Sequence, residues 1–75
     1  MQPVPEWDKT EPTTLGELAN WFIEAENHLD DPNMRDYVGG RWSHYINTLS
    51  EAQGVPAGWL AYMVSSLVIE RIPRG

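Results

Sequence analysis

Two proline-containing breaks divide most of the chain into three segments, each with apolar residues at helical spacing. Asp31-Pro32 forms the first break and Gly54-Val55-Pro56 the second. Asp before Pro is typical of a helix start, and Gly is typical of the position after a helix end. Within each segment apolar residues recur every three or four positions, as on one face of an α-helix. The pattern predicts an all-α fold, a small three-helix bundle with short links and antiparallel neighbours.

The first helix is predicted to begin at Thr14. Glu17 follows three residues later, which is the spacing of a capping box. Asp30, Asp31 and Pro32 mark its end. Its apolar stripe consists of Leu15, Leu18, Phe22, Ala25 and Leu29.

The second helix is predicted to begin at Asp31-Pro32, with Asn33 as a competing cap, and to end at Gly54. Its apolar rhythm crosses Gly39-Gly40 without a change of phase. Two glycines inside a helix cost about 1 kcal/mol each relative to Ala. Either the helix splits at this pair, or it continues and close backbone packing offsets the cost. We favour a continuous but kinked helix.

The third helix is predicted to be central and the most buried. Between Ala57 and Ile69 its apolar side chains cover nearly every face. Three of them are candidates for either the core or an oligomer interface. These are Trp59, Tyr62 and Met63.

The chain is too short for two domains, with 75 residues and no Cys. Residues 1–13 contain three prolines and are predicted to form an extended N-terminal arm, and residues 14–75 a single helical domain. Trp7 on this arm is expected to pack against its own domain rather than against a partner. Since no disulfide can stabilise so small a core, homo-oligomerisation is a second source of stability.

The chain has a net charge of −6, and its negative charge is concentrated in the first half. Residues 1–36 hold nine acidic residues against Lys9 and Arg35, a balance of −7, and residues 37–75 have a balance of +1. This sign disfavours direct binding to nucleic acid or to anionic membranes. It favours a basic protein partner, although solubility alone is a sufficient reason for it.

Catalytic and metal-binding chemistry have little support in the sequence. His28 and His44 are the only histidines, and carboxylates such as that of Glu24 would have to complete a zinc site. No nucleophile motif, phosphate-binding loop or calcium loop is present. We expect no enzyme activity, no metal and no cofactor.

Aromatic residues suggest where a partner binds. Trp and Tyr are enriched at interface hot spots. Trp21 lies off the main apolar stripe of the first helix, beside Glu17 and Glu24, and is the first candidate for an exposed aromatic anchor. The predicted partner-binding residues are Glu17, Trp21, Glu24, Glu26, Asp30 and Asp31.

The sequence therefore predicts a non-enzymatic, acidic protein-protein interaction module. Its sharpest form is a stoichiometric inhibitor that docks the acidic face of its first helix on the basic, nucleic-acid-binding surface of another protein. The alternative is a structural homo-oligomer, such as a homodimer, that buries the apolar third helix across a symmetric interface. In size and acidity the chain is similar to many stand-alone inhibitors and antitoxins encoded by mobile genetic elements, but it shares no motif with them. No basic stretch followed by an apolar run opens the chain, so we expect a cytoplasmic protein.

Overall fold

The computed structural model describes residues 4–72, and these form a small all-α three-helix bundle. Helix α1 spans Leu15–Glu26, α2 spans Pro32–Gln53 and α3 spans Ala57–Arg71. A single 3₁₀ turn, Glu6–Asp8, precedes them. This turn is a departure from the prediction, which placed no regular structure before residue 14. The prediction of an extended arm at residues 1–3, which include Pro3, lies outside the described residues.

The predicted helix starts are confirmed. Thr14 Oγ1 accepts a hydrogen bond of 3.1 Å from the backbone amide of Glu17. The carboxylate of Glu17 reaches back to Thr13, whose amide and hydroxyl donate to it at 3.2 and 2.8 Å. Asp31 caps α2 by accepting from the amide of Asn33 at 3.0 Å, so Asp31 is the cap and Asn33 is not.

The two helix ends differ in how well the sequence located them. Gly54 ends α2 with a φ of 67°, the left-handed conformation expected of a C-terminal glycine. Helix α1 stops at Glu26, and residues 27–30 form a turn. Leu29, predicted to belong to the apolar stripe of the first helix, lies in this turn.

Helix α3 packs against both other helices, whereas α1 and α2 contact each other less. The chain changes direction by 113° between α2 and α3, so these two helices cross and the prediction that neighbours are antiparallel is wrong for them. The core contains residues from all three helices. Its buried apolar members are Leu18, Ala19, Trp21, Ala25, Val38, Tyr45, Ile46, Leu49, Leu60, Val64 and Val68.

The third helix is less buried than predicted. Only Leu60, Val64 and Val68 are buried on it, and they follow one another at intervals of four residues. Trp59 is 65% exposed and Tyr62 is 70% exposed. The reason is geometric, because both neighbours of α3 lie on one side of it and nothing in residues 4–72 covers the other side.

Gly39 and Gly40 lie inside one uninterrupted helix, so the alternative that the element splits there is wrong. Close packing does not explain them either. A Cβ added at either glycine would meet no atom within 4 Å. The predicted kink stays a prediction.

Alanine at Gly39 or at Gly40 should therefore stabilise the protein. Each substitution should raise the free energy of unfolding by about 0.5–1 kcal/mol, because it removes backbone entropy from the unfolded chain without introducing a clash. Gly54→Ala is the control and should lower it by about 1 kcal/mol, since Ala disfavours the left-handed conformation. Urea unfolding followed by circular dichroism measures all three. If Gly39→Ala and Gly40→Ala both lowered the free energy of unfolding, this would contradict the finding that a Cβ at either position meets no other atom.

Candidate functional site

The side chain of Asp8 is the most connected polar group in the described residues. It is only 2% exposed, and both carboxylate oxygens accept hydrogen bonds. Oδ1 accepts from Trp21 Nε1 and from the Tyr45 hydroxyl, each at 2.7 Å. Oδ2 accepts from the Tyr37 hydroxyl at 2.5 Å and from Arg41 Nε at 3.3 Å. We call these five residues the Asp8 cluster.

The donors of the Asp8 cluster come from two helices. Tyr37, Arg41 and Tyr45 follow one another at intervals of four residues, so α2 aligns them along one face. Arg41 also donates to the Tyr45 hydroxyl at 2.7 Å, and its guanidinium carbon lies 4.8 Å from the centre of the Tyr45 ring. The one buried carboxylate is therefore paired with a cation and held by neutral donors, as a buried charge requires.

Burial and the neighbouring carboxylate change the ionisation of both tyrosines. Desolvation, followed by the hydrogen bond to Asp8, raises the pKa of Tyr37 to about 12. The same two causes raise the pKa of Tyr45 to about 12. Both hydroxyls therefore stay protonated at neutral pH and remain donors to Asp8.

The cluster joins the N-terminal arm to the helices. Asp8 lies in the 3₁₀ turn, and its donors lie on α1 and α2. Beside it, the Trp7 ring stacks on His28 with centroids 4.9 Å apart and an interplanar angle of 6°. Trp7 also contacts Trp21 at a centroid distance of 5.7 Å. The prediction that Trp7 packs on its own domain is confirmed. With its oxygens occupied and its side chain enclosed, Asp8 acts as an anchor and presents no group to a substrate.

The burial of Trp21 corrects the placement of the predicted partner-binding face. Trp21 is 6% exposed, and its ring lies edge-on to Tyr45 at 5.2 Å between centroids. Trp21 lies outside the apolar stripe of α1, but Trp7 and Asp8 of the arm pack on this side of the helix and cover it. Trp21 is therefore a core residue and not an exposed anchor.

The carboxylates predicted to surround Trp21 are exposed but do not form one face of α1. Glu17 and Glu24 are two helical turns apart and line the same shallow groove beside Trp7. Glu26 is nine residues from Glu17, which at about 100° per residue places it on the opposite side of the helix. Asp30 and Asp31 lie at the turn before α2. Hydrogen bonds from Thr13 lower the pKa of Glu17, so this carboxylate also serves the helix cap.

The second candidate site is the outer face of α3 together with Ile72, the residue that follows the helix, and it carries four exposed apolar side chains. We call it the α3 face, and it consists of Trp59, Tyr62, Ile69 and Ile72 with the intervening Ser65 and Ser66. Met63, the third residue of the predicted interface set, is half-buried and packs against the core. Of that set, the structure therefore places Trp59 and Tyr62 at the surface.

An apolar groove of about 250 Å³ borders the α3 face. Its floor and walls come from all three helices, and Glu26 lies at its rim. The other lining residues are Phe22, Trp42, Val64, Ser65, Val68, Ile69 and Ile72. Ser65, Ile69 and Ile72 belong to both the groove and the α3 face, so the two are continuous.

The two histidines lie close to different carboxylates. His28 Nε2 is 3.5 Å from Glu24 Oε1 and has no hydrogen-bond partner among the described residues. His44 Nε2 is 3.3 Å from Glu11 Oε1. Within residues 4–72 no three His, Asp or Glu side chains come close enough to share a metal ion.

None of the three helices is by itself long and apolar enough to cross a membrane. Helices α2 and α3 meet the length and hydropathy requirement only when they are taken together as a pair with the 113° bend between them.

Replacing Asp8 should destabilise the protein strongly. Asp8→Asn removes the charge that pairs with Arg41 and leaves buried donors with a poorer acceptor, so the free energy of unfolding should fall by about 2–4 kcal/mol. The milder variant Tyr37→Phe removes one donor and should cost about 1 kcal/mol. Glu6→Gln is the matched control, because it removes an exposed carboxylate from the same turn, and it should change stability by less than about 0.5 kcal/mol. Urea unfolding measures all three variants. A free energy of unfolding for Asp8→Asn within about 0.5 kcal/mol of that for Glu6→Gln would contradict the anchoring role of Asp8.

Alkaline pH should open the Asp8 cluster. The pKa of both tyrosines is raised in the folded protein to about 12, above the ordinary value of 10.0. Their contribution to stability is therefore complete below pH 10 and is lost as the pH rises toward 12. Absorbance at 295 nm, recorded with circular dichroism, should show the phenolates of Tyr37 and Tyr45 appearing together with unfolding. Ionisation of all three tyrosines near pH 10 in a protein that stays folded would contradict this.

Comparisons of the chain with protein-family models, with curated proteins and with solved structures give no match. The functional interpretation therefore depends on the surfaces described above.

Proposed function

We propose that this protein is a non-enzymatic protein-protein interaction module whose contact surface is the α3 face. The observation that supports this most is the exposure of two large aromatic side chains on one helix, 65% for Trp59 and 70% for Tyr62. Trp and Tyr contribute more binding energy per residue than other side chains at interfaces. The α3 face therefore has the composition of a binding surface.

The outer side of α3 also differs from that of an ordinary surface helix. A surface helix of a monomer normally presents charged and polar residues to water. Here α3 carries two charged residues, Glu70 and Arg71, both at its C-terminal end, and the centre of the stripe holds Ser65 and Ser66. Contiguous apolar patches of this kind are typical of interaction sites.

The bundle holds this face in a fixed position. Leu60, Val64 and Val68 anchor the opposite side of α3 in the core. At the end of the helix, Arg71 Nη1 donates to the carbonyl of Gly16 at 2.9 Å and to Asn20 Oδ1 at 2.8 Å. A partner therefore meets a rigid helix, which lowers the entropy cost of association.

The acidic residues support a second candidate function, docking on a basic protein surface as a stoichiometric inhibitor. Within residues 4–72 no Lys or Arg pairs with Glu17, Glu24, Glu26, Asp30 or Asp31. Unneutralised charge of this kind steers a protein toward a basic partner. This candidate is weaker because its aromatic anchor, Trp21, is buried and its carboxylates are on different sides of α1.

Site-specific photo-crosslinking in the source cells tests both candidates. A benzophenone amino acid placed at Tyr62 reports on the α3 face, one at Glu24 reports on the acidic side of α1, and one at Asn47, an exposed position on α2, is the matched control. We expect protein adducts from position 62 at a yield several times that from positions 24 and 47.

Two results would contradict the proposal. Adducts from position 24 with none from position 62 would favour acidic docking and reject the α3 face. Equal, low yields from all three positions would reject both candidate contact surfaces.

A further inference from the structure

We propose that the shallow groove beside Trp7 binds a linear aliphatic diamine, with one ammonium group on Glu17, the other on Glu24 and the methylene chain on the apolar wall between them. We call it the Trp7 groove. This site goes beyond the proposed function, because none of the residues that line the groove is on α3. Three features of the described residues support it: the apolar surface of the groove, its two carboxylates and the small number of its other polar groups.

The Trp7 groove lies between the N-terminal arm and α1 and has a volume of about 270 Å³. Stacking on His28 holds the half-buried ring of Trp7 in place, and Pro12 is buried in the wall beside it. Methylene groups pack favourably on apolar surfaces of this kind, and an ammonium group is attracted to an indole ring. The residues that line the groove are Trp7, Thr10, Pro12, Glu17, Asn20, Trp21 and Glu24.

The two carboxylates are separated by a distance that one diamine can bridge. Glu17 and Glu24 are seven residues apart on α1. This spacing places them on nearly the same side of the helix, with their Cα atoms roughly 10 Å apart along its axis. A pair of carboxylates with an apolar wall between them matches a ligand that carries a positive charge at each end of an apolar chain.

Both carboxylates have oxygens that no group in residues 4–72 satisfies. Oε1 of Glu17 accepts the hydrogen bonds from Thr13 and Thr14, whereas its Oε2 accepts none. Glu24 accepts no hydrogen bond either, since His28 Nε2 lies 3.5 Å away without forming one. No described Lys or Arg side chain pairs with either carboxylate. Two ammonium groups would therefore meet two charges that the chain itself does not neutralise.

Other polar groups in the Trp7 groove are few, and this favours a small diamine over a basic peptide. Thr10 and Asn20 are the only other hydroxyl or amide side chains that line it, and Asn20 Oδ1 already accepts from Arg71 Nη1 at 2.8 Å. A peptide would bring backbone amides and carbonyls, which need hydrogen-bond partners of their own. A diamine brings only its two ammonium groups, one for each carboxylate.

Titration of the full chain with cadaverine and with pentylamine tests the site. Both amines have the same five-carbon chain, but cadaverine is charged at both ends and pentylamine at one. We expect cadaverine to bind about fivefold more tightly, which is the effect of one additional ion pair at a partly exposed site. The indole NH signals in a ¹⁵N-correlated NMR spectrum report both affinity and location. The Trp7 signal should move during the titration, and the Trp59 signal should not.

Three single substitutions distinguish bridging by a diamine from general attraction to an acidic protein. Glu17→Gln and Glu24→Gln should each reduce the advantage of cadaverine over pentylamine to less than about twofold, because one carboxylate remains for two ammonium groups. Glu26→Gln is the matched control, since it removes the same charge from the opposite side of α1 and should leave the advantage unchanged. Gln is compatible with a capping box at position 17. Circular dichroism checks that all three variants fold.

Three outcomes would overturn the diamine site. They are equal affinities of the unchanged protein for cadaverine and pentylamine, a loss of the advantage in Glu26→Gln as large as in Glu24→Gln, and a Trp7 signal that does not move in excess cadaverine. A protein that does not bind cadaverine but forms photo-adducts from position 24 would assign the Trp7 groove to a basic protein partner instead. The proposed function fails separately, because it depends on photo-adducts from position 62.

Discussion

The buried carboxylate of Asp8 determines how the rest of this small protein is arranged. A single anion on the N-terminal arm binds Trp21 on α1 and three donors on α2. Its partners lie 13 to 37 residues away along the chain, so the interaction fixes elements that periodicity alone would leave separate. Removing a buried charge partner costs far more than the pair contributes, because the remaining charge is left without compensation. The described part of the arm, residues 4–13, is thus part of the folded domain.

This interaction also determines which surfaces remain available. Trp7 and Asp8 cover one side of α1, and this places Trp21 inside the protein. The outer side of α3 receives no such cover from the described residues. The chain therefore buries one of its aromatic groups with a polar arm and leaves another, formed by Trp59 and Tyr62, exposed to solvent. We propose α3 as the contact surface because, among the described residues, nothing covers its outer side as Trp7 and Asp8 cover α1.

Local sequence signals predicted the helices well. Thr14, Asp31 and Gly54 have the expected capping roles because capping depends on residues within one helical turn. The end of α1 and the crossing of α2 and α3 were missed, since both depend on packing between elements. The open space around Gly39 and Gly40 excludes close packing as the reason for these glycines.

The candidate sites were harder to predict, for a related reason. In the sequence Asp8 is one of nine acidic residues among the first 36, and nothing within the arm indicates that it is buried. One signal was present on α2, where Tyr37, Arg41 and Tyr45 at intervals of four residues align two hydroxyls and a guanidinium on one face. Three donors on one face indicate that this face binds an anion, but they do not indicate which carboxylate of the chain supplies it. The exposure of α3 was missed because apolar residues on every face of a helix predict burial, whether within the chain or against a second chain.

The most direct test of this account is the set of four indole NH signals in a ¹⁵N-correlated NMR spectrum, followed during exchange into D₂O. The account predicts that the Trp21 signal is protected by its hydrogen bond to Asp8, whereas the signal of the exposed Trp59 is lost quickly. A Trp21 signal that exchanges as fast as the Trp59 signal would contradict the anchoring by Asp8.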